Sequence, residues 1–176
     1  AAQSMPDASP LKWHLAHTTW FFETFALARY EAPFRPFHEA FGDLFNSYVN
    51  EALPRAHRGL LSRPTLDEVL WYRRSVDERM GPLRERAEHD PKIHSIIALG
   101  LRHEEQHQES MLADVLHLFS QNPLRPAFMS DGPPRAVPAR SEWHRFDGGA
   151  YHIGADATAF SSDFSFDNER PRHRVW

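Results

Sequence analysis

Residues 100–110 read GLRHEEQHQES, with His103 and His107 four apart inside a longer periodic stretch. After Pro91, apolar residues recur at Ile93, Ile96, Ile97 and Gly100, and again at Met111, Val115 and Leu118, which predicts one long helix to about Phe119. Between those apolar ends the same face carries His103, Glu104, His107 and Asp114, while Arg102, Glu105 and Glu109 point away. A polar gap in the middle of a buried stripe marks an internal site. Histidines at i and i+4 stand one turn apart on one face, so both imidazoles can reach one ion. The alternative is a pair of hydrogen-bonded core histidines, since a buried imidazole without a partner is costly.

His-Glu-x-x-His is also the signature of a zinc protease helix. Its extended form fails here, because Ser110 and Ala113 occupy the places of the required Gly and third His. The other form needs a downstream glutamate, and none occurs between Ser110 and Ser141. The third ligand is better sought upstream. In SPLKWHLAHTTWFFETFALARYEA, Ser9 is placed to cap a helix and Pro10 to occupy its first position. On a helical wheel Lys12, Thr19, Glu23 and Tyr30 share one side, and His14, His17, Phe21 and Phe25 the other. So aromatic a helix buries most of its circumference. Sites in helical bundles are built from facing helices, so either His14 or His17 could complete a three-histidine set. Asp114 is the fallback carboxylate ligand, and is preferred as an acceptor for an imidazole N–H.

A second long helix is announced by the capping box Thr65–Glu68 after Pro64, with a stripe of Leu66, Val69, Leu70, Val76, Met80 and Leu83. Arg73 and Asp77 fall within that stripe, four apart. The arginine is either a snorkelling cation with a local partner or a charge facing an anionic ligand. Between these helices the chain is rich in Pro, Gly, Phe and Asn, and a short helix is expected around Phe37 to Glu51.

Composition narrows the rest. The 176 residues carry a formal charge of −4, with no basic surplus, so nucleic acid is a poor default partner, and no apolar run is long enough to span a membrane. With no cysteine, any metal must rest on His, Asp or Glu, and 12 histidines are many for this length. A cytoplasmic setting is expected. Residues 123–140 hold five prolines and three arginines and read as a wrapping linker. SEWHRFDGGAYHIGAD and FSFDNERPRHRVW then suggest β structure from a second domain. The chain begins at AAQSMPDASP and stops at RPRHRVW, and is read as an internal piece of a longer protein.

Four motifs in register, SMPDASPLKWHLAHTTWFFETF, LFNSYVNEALPRAHRGLLSRPT, GLRHEEQHQESML and FDNERPRHRVW, resemble the ergothioneine-biosynthesis sulfoxide synthases. The resemblance implies a mainly α fold. A DinB-like metal-binding helical bundle would span residues 1–122, with its N-terminus clipped. The linker 123–140 follows, and then the truncated, β-containing start of a formylglycine-generating-enzyme-like domain at 141–176. It implies Fe(II) held by His17, His103 and His107, which leaves His14 for packing or support, alongside Asp114 and Glu104. Gln106 would lie beside a substrate imidazole, and Arg73 and Arg74 are candidates to grip the carboxylates of a thiol donor. The implied reaction uses O2 to join the sulfur of γ-glutamylcysteine or cysteine to imidazole C2 of Nα-trimethylhistidine (hercynine). The family's catalytic tyrosine would lie beyond Trp176, so this piece by itself is expected to be inactive. Two other readings compete: a zinc- or nickel-dependent DinB-like thiol transferase or hydrolase using the same histidines, and a non-catalytic bundle with structural histidines.

Overall fold

The computed structural model describes residues 2–48, 53–130, 132, 141–156 and 164–176. By backbone contacts the chain divides into two compact units, Ala1–Phe128 and Met129–Trp176. The first is mainly α. Helix α1 (Leu11–Phe22) passes through a π-helical turn at Glu23–Leu27 into a last α-turn, α2 (Ala28–Tyr30). A short α3 (Phe41–Leu44) and a 3-10 segment at Arg55–Leu60 lie in the connection to α4 (Leu66–Ala87), and α5 (Pro91–Ser120) follows after a tight turn. Helices α1, α4 and α5 each pack against the other two. In the second unit β1 (Tyr151–Ile153) pairs antiparallel with β2 (His173–Val175), Tyr151 opposite Val175. The fold class expected from the sequence is therefore borne out: a helical bundle followed by a short β segment. No helix among the described residues is long and apolar enough to cross a membrane.

Aromatic residues fill the bundle's centre. Trp13, Trp20, Phe21 and Leu27 of the first helix meet Val69, Tyr72, Val76, Met80 and Leu83 of α4, with Phe41 and Phe45 from the connection and Ile93 from α5. Gly100 is needed where α5 crosses the first helix. A Cβ there would stand 2.5 Å from the Phe22 ring and 3.0 Å from that of Phe21.

The local signals hold where they depend on local chemistry. The Thr65 hydroxyl accepts from the Glu68 amide at 3.2 Å, and Glu68 Oε2 accepts from the Thr65 amide at 2.6 Å. Thr65→Ala strands the Glu68 N–H and should cost about 1 kcal/mol of stability, read as a lower urea midpoint. An unchanged midpoint would show that the cap is redundant. Asp90 caps α5, its Oδ1 accepting from the amides of Lys92 and Ile93 at 2.9 and 3.4 Å, with Pro91 in the first turn.

Other expectations are corrected. Pro10, not Ser9, is the N-cap of α1, because the Ser9 amide donates to Asp114 and its hydroxyl accepts from Arg58. The helix expected over Phe37 to Glu51 is confined to Phe41–Leu44, and positions 49–52 lie outside the described residues. Leu66 and Leu70 are exposed, so the buried stripe of α4 is narrower than drawn, with Tyr72 as its centre. Most of the proposed linker, residue 131 and residues 133–140, lies outside the described residues.

Candidate metal centre

Four histidines meet where α1 crosses α5. His14 and His17 are both buried and face α5 one turn apart, and His103 and His107 answer from the polar gap in its stripe. Ligand atoms of His17, His103 and His107 lie within 4.8 Å of one another. His17 Nε2 and His103 Nε2 face each other at 3.2 Å. The rings of His17 and His103 stand 4.6 and 4.5 Å from that of His107, centroid to centroid.

Each ring is held from outside the cluster in its own way. His17 Nδ1 donates to the Phe45 carbonyl at 2.7 Å, and its ring stacks with Trp13 and Trp20, one turn before and one after. Phe21 leans on His103 at 4.8 Å. His14 spans from Asp114 Oδ2, 3.1 Å from its Nε2, to His107 Nδ1, 2.8 Å from its Nδ1. His103 Nδ1 is buried with no hydrogen-bond partner among the described residues.

Burial is the main influence on all four rings. It pushes His17 down to about 4, with His103 and Arg58 adding to the effect against the opposing Phe45 hydrogen bond. It pushes His107 down to about 3, with help from the neighbouring His17, His103, His14 and Arg58. His103 and His14 are lowered for the same reason, against opposing pulls from Glu104 and Asp114. At neutral pH the cluster is therefore uncharged and carries lone pairs, the state that binds a metal.

These residues fit a metal ion. Nitrogens bound to one ion at about 2.1 Å stand roughly 3.0–3.4 Å apart, as the bond angle runs from near 90° to tetrahedral. The 3.2 Å between His17 and His103 falls in that range. Three neutral imidazoles suit zinc, iron, copper or nickel, and do not select among them.

The remaining residues singled out from sequence are placed as follows. Glu104 Oε1 accepts from Arg73 Nη2 at 2.9 Å, while its Oε2 is buried without a partner among the described residues. Arg73 Nη1 also donates to Thr18 at 3.1 Å, and Asp77 stands 3.9 Å from its Nε. The arginine's main partner is thus a carboxylate on another helix, neither the local Asp77 nor a free site for an anion. Arg74 and Gln106 are both exposed, Gln106 in the turn that carries His107.

Sequence reasoning missed Arg58. Its side chain is 5 % exposed, its guanidinium lies 3.4 Å from the centre of the Trp13 ring, and its Nη1 donates to Ser9 at 2.9 Å. No carboxylate pairs with it among the described residues, and its Nε has no partner there. Burial and the nearby Arg55 hold it down to about 10, so it stays a cation at neutral pH. The available signal was weak: an arginine in an apolar, aperiodic segment.

No protein-family model matches this chain, and no curated protein matches it. Fold and site together define a mainly helical domain with a three-histidine group able to hold a metal ion. That combination is consistent with a DinB-like fold.

Proposed function

We propose that this chain supplies the iron-holding part of a nonheme Fe(II), O2-dependent sulfoxide synthase. The reaction would join the sulfur of γ-glutamylcysteine or cysteine to imidazole C2 of hercynine. The observation that carries this reading is the convergence of His17, His103 and His107 from two helices, the three positions implied by the motif resemblance.

Overall, thiol, imidazole and O2 give the sulfoxide and water. The S–H and the C2–H bonds are lost, a C–S bond forms, and O2 supplies the sulfoxide oxygen and the oxygen of water. A bound ferrous ion would lower the thiol pKa and hold the reactants at one centre. The protein's own residues supply the surroundings. Neutral ligands leave the ion's charge intact for an anionic sulfur, and with no cysteine in the chain no internal thiolate competes for it. Trp13, Trp20 and Phe21 pack against the rings of His17 and His103 and shield those faces from water. Arg58, a buried cation with no carboxylate partner among the described residues, replaces Arg73 as the better candidate to receive a donor carboxylate. Gln106, the residue before His107 on α5, is the candidate to lie beside the imidazole of the second substrate.

Anaerobic metal titration tests this. The parent chain and a His94→Ala control, altered at an exposed position of α5, should each take up about one Fe(II). His17→Ala, His103→Ala and His107→Ala should each weaken binding by more than about 100-fold, beyond the roughly 10–100-fold typical of outer hydrogen-bond partners. Adding γ-glutamylcysteine and then hercynine to the cobalt-loaded chain should change its visible spectrum in two steps. Metal uptake with no response to either compound would favour the transferase or hydrolase reading. Retained iron in all three variants would overturn the site.

A further inference from the structure

Asp114 sits two helical turns beyond His107 on α5, yet its Oδ2 is the anchor of a continuous string of hydrogen bonds leading back to it. That oxygen receives the Ser9 amide at 2.9 Å and faces His14 Nε2 at 3.1 Å. An ionised carboxylate can only accept, so His14 Nε2 must carry the proton. A neutral His14 then has its lone pair on Nδ1, which faces His107 Nδ1 at 2.8 Å. Two facing nitrogens at that distance share one proton, and His14 cannot provide it. His107 therefore carries its proton on Nδ1 and presents a lone pair at Nε2.

We infer that Asp114 and His14 form a relay that fixes the tautomer of His107 and so selects Nε2 as its metal-binding atom. His14 and Asp114 are positioning residues: Asp114 acts on the centre only through the ring of His14. The polarisation runs in the useful direction, since a carboxylate-backed acceptor at Nδ1 makes Nε2 a better donor to a cation. His17 is fixed in the same sense by a different acceptor, the Phe45 carbonyl on its Nδ1. His103 has no such support. Its Nε2 faces the bare Nε2 of His17, so in the metal-free chain it carries its proton there, and its Nδ1 has no partner among the described residues. Among the three histidines, only His103 must change tautomer when a metal binds. The consequence for metal affinity rests on the metal-site reading above; the tautomers belong to the metal-free chain.

The two levels can be tested separately. Long-range proton–nitrogen NMR correlation on the metal-free, histidine-labelled chain should show His107 protonated at Nδ1, against the Nε2–H form that free imidazole side chains prefer. His14→Phe keeps an aromatic ring but removes the acceptor. It should return His107 to the Nε2–H form and weaken Co(II) binding by about 10–100-fold. His14→Asn, whose side-chain oxygen can take the place of Nδ1, should restore both the tautomer and most of the affinity. Asp114→Leu should release His14 and shift His107 in the same direction as His14→Phe. An Nε2–H His107 in the wild-type chain overturns the relay, even if a variant fails to fold. So does a His14→Phe protein with wild-type tautomer and affinity. An Nδ1–H His107 in a chain that takes up no metal would uphold the relay and overturn the metal site instead.

Discussion

Acidifying the metal-free protein from pH 7 to pH 5 is expected to remove roughly 4 kcal/mol of its stability through His17 and His107 alone. The ordinary histidine value is 6.5, and in the fold the two rings are held down to about 4 and about 3. Well above pH 6.5 neither state takes up a proton and the pair has no effect. Below it the unfolded chain binds protons that the folded chain refuses, so folding weakens by about 1.4 kcal/mol per pH unit for each ring. Both folded values lie below 5, so the full window counts and each ring contributes about 2 kcal/mol.

The groups around the cluster act on both sides. Arg58 adds positive charge beside His14, His17 and His107, and Arg55 beside His14, while Glu104 and Asp114 oppose the effect at His103 and His14. Burial is nonetheless the largest cause at every ring, and it sets the sign. In a domain whose total stability is of order 5–15 kcal/mol, a loss of this size is a large fraction of the whole. Urea unfolding with chelator present at pH 7, 6 and 5 measures it. His107→Gln, which cannot take up a proton, should recover about 2 kcal/mol of the loss at pH 5. A urea midpoint that stays level from pH 7 to 5 would refute the account.

How far the sequence carried can be judged from particular residues. The helix with His103 and His107 was legible because a polar interruption in an apolar stripe is a local, periodic signal. The cap at Thr65 was legible because its bonds span three residues. The wheel placed both His14 and His17 inward, and both are buried, but it could not separate them. Their roles differ through their acceptors, Asp114 for one and the Phe45 carbonyl for the other, and those come from distant parts of the chain. Arg73 shows the same limit. Spacing offered Asp77, four residues away, whereas the bundle supplies Glu104 from α5 at 2.9 Å. Arg58 had no periodicity to reveal it, since a 3-10 turn in an irregular segment carries no apolar stripe.

Glu23 is the residue whose replacement should damage the fold most, by about 3–5 kcal/mol for Glu23→Ala. The wheel grouped it with Lys12 and Thr19 on the polar side of the first helix, a side that faces protein here rather than water. The π-helical turn begins at Glu23 and carries the helix past α4. The carboxylate is buried and used at both oxygens. Oε2 accepts from the Tyr72 hydroxyl at 2.6 Å, and Oε1 accepts from the Phe37 amide at 2.7 Å, with Arg79 Nη1 at 3.5 Å. Arg79 in turn donates to Glu31 at 3.0 Å and to the Arg35 carbonyl at 2.9 Å, so one carboxylate joins helix, connection and α4. Burial and the Glu23 charge push the Tyr72 hydroxyl far above its usual value, which keeps it a donor at any ordinary pH. Removing the carboxylate leaves that hydroxyl buried without an acceptor, at a cost of about 1–3 kcal/mol, strands the partly buried Phe37 amide and weakens the seat of Arg79. Tyr72→Phe should cost less, about 1–3 kcal/mol, because only one oxygen loses its donor. The double variant should cost less than the two single losses together, since the hydroxyl and the carboxylate it meets are then removed as a pair. Metal affinity should be unchanged in the folded fraction, because none of these groups touches the histidines. A Glu23→Ala protein within about 1 kcal/mol of the parent would mean that water or a local shift satisfies the stranded donors, and that the packing of Tyr72 alone holds this corner of the bundle.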